Sequence, residues 1–216
     1  MIGAVIFDMD GVIIDSEPIH FEVDEATMND SGVTITKEEL DKYVGMTSPE
    51  MWAELKVPYD LKQTVEAILD SQLKAKIERI NTMTIAPIEG ITELLHTLAV
   101  HNIQIALASS SAMPFIKAVL TKFNILDYFS VIVSGEEVPQ GKPAPDIYIK
   151  TAELLHLKSD QCVVIEDSKN GTLAAKSAGM KCIGFCNPNS GNQDLSKADI
   201  TVDSIKDINL AYLNAL

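Results

Sequence analysis

Ile2-Gly3-Ala4-Val5-Ile6-Phe7-Asp8-Met9-Asp10-Gly11-Val12 is the stretch on which the fold turns. A short Val/Ile-rich run stops abruptly at two carboxylates and a glycine, the pattern of a strand buried on both faces. Asp8 falls at the carboxyl end of that strand, where open α/β sheets place their chemistry. Asp10 follows as the chain turns, and Gly11 lets the backbone approach a ligand closely. Two acids so near each other repel unless a cation or a proton stands between them. An Asx-rich turn after a core strand has the same signature. The rest of the chain decides between turn and site.

Beyond Ser16, read as an N-cap with Pro18 in the first turn of the next helix, the pattern changes. From about Ile19 to Asn81 it is helical and acidic, punctuated by Ser31-Gly32, Gly45 and Pro58. Leu61, Val65, Ile68, Leu69, Leu73 and Ile77 have the spacing of one amphipathic helix. No buried-strand run occurs there, so residues 16–82 read as a helical cap inserted after the first strand. Residues 1–15 and 83–216 then form the core domain, with hinges near Ile14–Glu17 and Asn81–Pro87 on which the cap is expected to close.

After Pro87 the pattern alternates. Helix Glu89–Ala99 leads to strand Ile103–Ala108, helix Met113–Phe123 to strand Val131–Val133, and helix Asp146–Leu155 to strand Cys162–Ile165. Helix Gly171–Ala178 leads to strand Lys181–Phe185, and a short strand near Ile200–Val202 precedes a terminal helix. Such alternation makes a doubly wound parallel sheet covered on both faces, an α/β class. The Asn-, Gly- and Ser-rich stretch Asn187–Ala198 reads as solvent-facing punctuation.

Composition narrows the partners. The 216 residues are 46% hydrophobic and 22% charged, ordinary for a soluble protein. A net charge of −14, from 17 basic and 31 acidic residues, repels nucleic acid and anionic membranes. A phosphate site on such a chain must be built locally. Cys162, Cys182 and Cys186 are too sparse for a disulfide framework and fit a reducing compartment. No His or Cys follows Cys182 and Cys186 at ligand spacing, which argues against a metal pair there. The first strand has no basic start, and no run approaches membrane-spanning length. The expectation is a cytoplasmic monomer with a small-molecule substrate, without nucleic-acid or membrane partners.

The remaining strand ends carry chemistry. Ser109-Ser110-Ser111 follow one strand and form an anion cradle or a plain N-cap. Lys142 stands in Gly141-Lys142-Pro143-Ala144-Pro145, whose rigidity makes the direction of its ammonium reproducible. Glu166-Asp167-Ser168 close another strand, and capping explains one acid there but not two. Carboxylates gathered this way fit a hard divalent cation, Mg²⁺ above all. A hydroxyl and a lysine beside them fit a phosphate.

The ordered set Asp8-Met9-Asp10-Gly11-Val12, Ser109, Gly141-Lys142-Pro143 and Glu166-Asp167-Ser168 resembles the haloacid dehalogenase superfamily across nearly the whole chain. The inserted helices resemble its subgroup with a small α-helical cap, which includes β-phosphoglucomutase and many sugar-phosphate phosphatases. The resemblance implies a Rossmann-like sheet with the first strand central, between the strands ending in Ser109 and Glu166. It implies that Asp8 attacks phosphorus to form an aspartyl-phosphate, and that Asp10 protonates the leaving oxygen and then activates water. It further implies Mg²⁺ held by Asp8, the Asp10 carbonyl and Asp167, with Glu166 acting through water. Ser109, Ser110 and Lys142 would bind the phosphoryl group, Lys142 also keeping Asp8 ionised.

An acid at Asp10 argues for phosphate esters over halides, whose departure needs no proton. In the cap, His20, the loop residues Gly45 and Thr47, and Lys74 and Lys76 are candidates for substrate contacts, while Trp52 reads as core. Ser48 stands where the mutases carry an arginine, and Arg79 is the only arginine of the chain. The expectation is a Mg²⁺-dependent phosphatase on a small phosphorylated metabolite such as a hexose phosphate. Its rivals are a β-phosphoglucomutase and a catalytically silent binding protein on the same fold.

Overall fold

The computed structural model describes residues 2–43, 48–214 and 216. The opening run forms strand β1, Ala4–Phe7, buried throughout. Ala4 and Ile6 pack with Ile147, Tyr148, Ala152, Ala174 and Ala175 on one face. Successive side chains on a strand point opposite ways, so Val5 and Phe7, equally buried, fill the other face. Burial on two faces is why the run shows no alternation of polar and apolar residues.

The chain divides into two compact units, between Ser16 and Glu17 and between Thr84 and Ile85. The inserted unit is helical: α1 (Glu17–Asp30), α2 (Lys37–Leu40), α3 (Ser48–Lys56) and α4 (Val65–Thr82). It has its own core, built around Met28, Leu40, Trp52, Leu55, Leu61 and Ile68. Trp52 is a core residue, and its indole N–H donates to Gln72 Oε1 at 2.9 Å.

The apolar spacing carried one helix back to Leu61, and the structure corrects this. Thr64 Oγ1 accepts the Ala67 N–H and starts α4 after it, and Leu61 reaches the core from the turn that closes α3. Asp60, in that turn, takes a left-handed φ of 50°. Ser16 directly precedes α1, where an N-cap stands, and its hydroxyl donates to Asp10 Oδ1 at 2.5 Å.

The larger unit continues with α5 (Ile91–Val100), β2 (Gln104–Ser109), α6 (Met113–Lys122), β3 (Val131–Ser134) and α7 (Asp146–Leu154). It closes with β4 (Cys162–Glu166), α8 (Lys169–Ser177), β5 (Lys181–Phe185), β6 (Ile200–Val202) and α9 (Leu210–Asn214). The strands form one parallel sheet in the order β3-β2-β1-β4-β5-β6. The chain runs outward from β1 to β3, then crosses to β4 and runs outward the other way. Strand order therefore reverses beside β1, and the crevice at the carboxyl ends there is where such sheets bind ligands. Among the described residues no helix is long and apolar enough to cross a membrane.

Candidate active site

Asp8 is held at the end of β1 because the parallel ladder runs one residue past the strand, its N–H donating to Ile165 O at 3.0 Å. The chain then turns tightly: Ile13 N–H returns to Met9 O, and Gly11 N–H reaches Ile14 O, each at 2.8 Å. Gly11 sits at φ 80°, and a Cβ on it would lie 2.0 Å from Asp167 Oδ2. Only glycine lets the first motif and the last come this close.

Lys142 is buried between carboxylates. Its ammonium donates to Asp8 Oδ1 (2.5 Å), Glu166 Oε1 (2.7 Å) and the Ala108 carbonyl (3.2 Å). The ring of Tyr148 lies under it, 5.0 Å from Nζ to the ring centre. Glu166 is bonded at both oxygens. Oε1 also accepts Tyr148 O–H at 3.0 Å, and Oε2 accepts the N–H groups of Asp167 and Ser168 and the Ser168 hydroxyl. Ser168 caps α8 in turn, accepting from Gly171 N–H. A Cβ at Gly171 would come within 1.6 Å of Glu166 Oε1, so that glycine gives the carboxylate its room.

Asp10 is gripped by hydroxyls: Ser16 on Oδ1, with Ser111 (2.7 Å) and Ser109 (3.3 Å) on Oδ2. Ser109 is buried and also accepts Ser111 N–H at 3.0 Å, while Ser110 is exposed.

Electrostatics single out the acids. Asp8, Glu166 and Asp167 offer ligand atoms that all lie within 4.8 Å of one another, a buried cluster that can hold a metal ion. Burial, and then the charges of Glu166, Asp167 and Asp10, push the Asp8 carboxyl well above the usual range, against the pull of Lys142. Burial and Glu166 push Asp167 up to about 7. Lys142 feels burial against its charge, but Asp8 and Glu166 outweigh it and hold the ammonium protonated well above the ordinary lysine value. Glu166 ends below its ordinary value because Lys142 and Ser168 overcome its burial. One ammonium does not balance three buried carboxylates. A divalent cation would supply the missing positive charge, and the donor set is all oxygen, as hard cations require.

The candidates Asp8, Asp10, Ser109, Lys142, Glu166 and Asp167 thus converge within the larger unit. His20 lies on α1, and Lys74 and Lys76 lie on α4, all in the inserted unit. Gly45 and Thr47 fall outside the described residues. The stretch 187–198 is mostly exposed, in keeping with its reading as solvent-facing punctuation, but part of it turns to the site. Asn187 is buried and Ser190 donates to Asp167 Oδ2. Asn187 and Ser190 thus satisfy polar groups of the site, while Gly191, Asn192 and Ser196 are exposed.

The family model for haloacid dehalogenase-like hydrolases matches residues 5–185. The chain belongs to this family. Phosphorylated carbohydrates phosphatase of Thermotoga maritima is 33% identical over 180 residues, 83% of each chain. Beta-phosphoglucomutase of Bacillus subtilis is 31% identical over 219 residues, covering 98% of this chain and 93% of that one. The crystal structure of CbbY from Rhodobacter sphaeroides in complex with phosphate is similar at a TM-score of 0.90 and 26% identity, covering 99% of this chain and 100% of that one.

Within this haloacid dehalogenase-like hydrolase, sequence reasoning passed over Ser16, Tyr148, Asn187 and Ser190 as parts of the site, and read Ser111 only as part of an anion cradle. Ser111 was legible as the third residue of a serine run at a strand end. Tyr148 has the spacing of an apolar helix face, and only its hydroxyl hinted at a buried partner.

Proposed function

We propose that the chain is a Mg²⁺-dependent phosphatase acting on a small phosphorylated carbohydrate, through a phosphoryl group carried on Asp8. The observation that carries this is the convergence of Asp8, Lys142, Glu166 and Asp167 in one buried cluster, with Asp10 beside it in a hydroxyl cage.

Asp8 is the nucleophile. Its oxygen attacks phosphorus, the ester P–O bond breaks, and Asp10 delivers a proton to the departing oxygen. Asp10, now ionised, takes a proton from water as that water attacks the phosphorus, releasing phosphate and restoring Asp8. The Ser16, Ser109 and Ser111 hydroxyls hold the Asp10 carboxyl group in place. Lys142 offers positive charge to the phosphoryl oxygens from a position that Asp8, Glu166 and Tyr148 fix. Asp8, Asp167 and the Asp10 carbonyl would hold Mg²⁺, with Glu166 acting through water. When bound, the ion neutralises the charge that builds on the phosphoryl oxygens. The inserted unit serves as the cap that chooses the substrate, with His20, Gly45, Thr47, Lys74 and Lys76 as the residues to vary first.

Hydrolysis is favoured over the mutase reaction by one pairing. A mutase must hold a bisphosphate, which calls for a second anion clamp. Arg79 is the chain's sole guanidinium, and it is engaged by Glu22 at both Nε (2.6 Å) and a terminal nitrogen (3.2 Å). Phosphate release across a panel of hexose and pentose phosphates, with Mg²⁺ and with EDTA, tests the reading. Metal-dependent release is expected, with little glucose 6-phosphate formed from β-glucose 1-phosphate plus a bisphosphate primer. Primer-dependent isomerisation outrunning hydrolysis would overturn the phosphatase reading in favour of the mutase.

A further inference from the structure

The loop that follows β5 is tied to the site from several sides. Asn187 Nδ2 donates to the Gly11 carbonyl (2.9 Å) and to Asp15 Oδ1 (2.7 Å). Asn189 Nδ2 reaches the other Asp15 oxygen at 3.0 Å. Within the loop, Asn187 Oδ1 accepts Asn189 N–H and Asn187 O accepts Ser190 N–H. Its far side is fastened to α8: Gln193 Oε1 accepts Lys169 N–H, and Gln193 Nε2 donates to Ser190 O, each at 3.1 Å.

Ser190 is therefore fixed from both directions, and its hydroxyl donates to Asp167 Oδ2. A Cβ at Gly11 would lie 2.7 Å from Ser190 Oγ and closer still to Asp167 Oδ2. Hydroxyl, carboxylate and the Gly11 backbone fill one another's space.

We propose that Ser190 is a positioning residue for cation binding: the loop 187–190 clasps the chain at Gly11 and Asp15, and its serine sets the orientation of the Asp167 carboxylate. This rests on the function proposed above in one respect, that Asp167 is a Mg²⁺ ligand. A carboxylate free to rotate must be ordered at the moment a cation binds. One already held by a donor on a fastened loop meets the cation in place, and outer partners of this kind are worth 10- to 100-fold in metal affinity. Asp15 adds a second consequence. It lies two residues before the inserted unit begins, so the same clasp that orients Asp167 also anchors the chain where it leaves the larger unit.

The test is Mg²⁺ affinity of the whole chain without substrate, by isothermal titration calorimetry, for the unaltered protein, Ser190→Ala and Ser190→Thr. Melting in EDTA is recorded beside it. Ser190→Ala should bind Mg²⁺ about 10-fold more weakly or worse. Ser190→Thr, which keeps the hydroxyl, should bind within about 3-fold of the unaltered protein. An alanine variant as tight as the unaltered chain overturns the proposal. So does a threonine variant that melts normally yet binds as weakly as alanine. If the unaltered chain binds no Mg²⁺, the metal reading beneath the proposal falls, and the proposal with it.

Discussion

Replacing Asp167 by asparagine should make the metal-free protein more stable in neutral and alkaline solution while removing its response to Mg²⁺. The carboxylate is buried beside Glu166, and its pKa is displaced from 3.8 to about 7. The folded state thus keeps a proton that the unfolded chain releases near pH 4, and between those values folding takes up protons. Stability of the metal-free protein must therefore fall as pH rises through that window, and it is fully retained only below it. At 1.36 kcal/mol per pH unit, the gap makes the ionised carboxylate a burden of up to about 4 kcal/mol at pH 8. Asparagine is neutral throughout and keeps an acceptor for Ser190.

Urea unfolding in EDTA from pH 5 to pH 8 should show the unaltered protein losing ground to Asp167→Asn as pH rises. Mg²⁺ at one hundred times its dissociation constant should return about 2.7 kcal/mol to the unaltered protein and almost nothing to the variant. A constant difference between the two chains across that pH range would refute the reasoning. So would an equal gain from Mg²⁺.

Two further substitutions probe other parts of the site. Asp10→Asn should slow transfer of the phosphoryl group to the enzyme by about 10²–10⁴ for alkyl phosphates and much less for nitrophenyl phosphate, whose leaving group needs no proton; kcat/KM, which reports that first step, should show the dependence on leaving group, while kcat falls for both because water activation is shared. Gly171→Ala would drive a methyl group into Glu166 Oε1, so it should cost about 1–3 kcal/mol of stability, read by thermal melting, and lower turnover by displacing the partner of Lys142.

Where the signal was local, the sequence was readable. β1 announced itself because a strand buried on two faces has no polar residue until it ends. Asp8, Glu166 and Asp167 each stood where an apolar run stopped, and Lys142 stood between residues that stiffen the backbone. What stayed hidden depends on contacts remote in the chain. Asn187 reaches Gly11 across 176 positions, and nothing in an Asn-Pro-Asn-Ser stretch distinguishes a solvated loop from one that satisfies a buried carbonyl. Tyr148 follows helical periodicity, so its apolar ring explained it and its hydroxyl went unread. The start of α4 was misjudged because Leu61 is as apolar as the helix that follows. The cap set by Thr64, not hydrophobicity, fixed the boundary.

The central claim, that Asp8 carries the phosphoryl group during turnover of a phosphate ester, is most directly tested by acid-quenching the enzyme with Mg²⁺ and a hexose phosphate that it hydrolyses. Intact-mass and peptide analysis should find a single phosphoryl adduct on the peptide containing Asp8, absent without Mg²⁺ and absent in Asp8→Asn, which should release no phosphate. An adduct on another residue, or undiminished phosphate release by Asp8→Asn, would contradict the account.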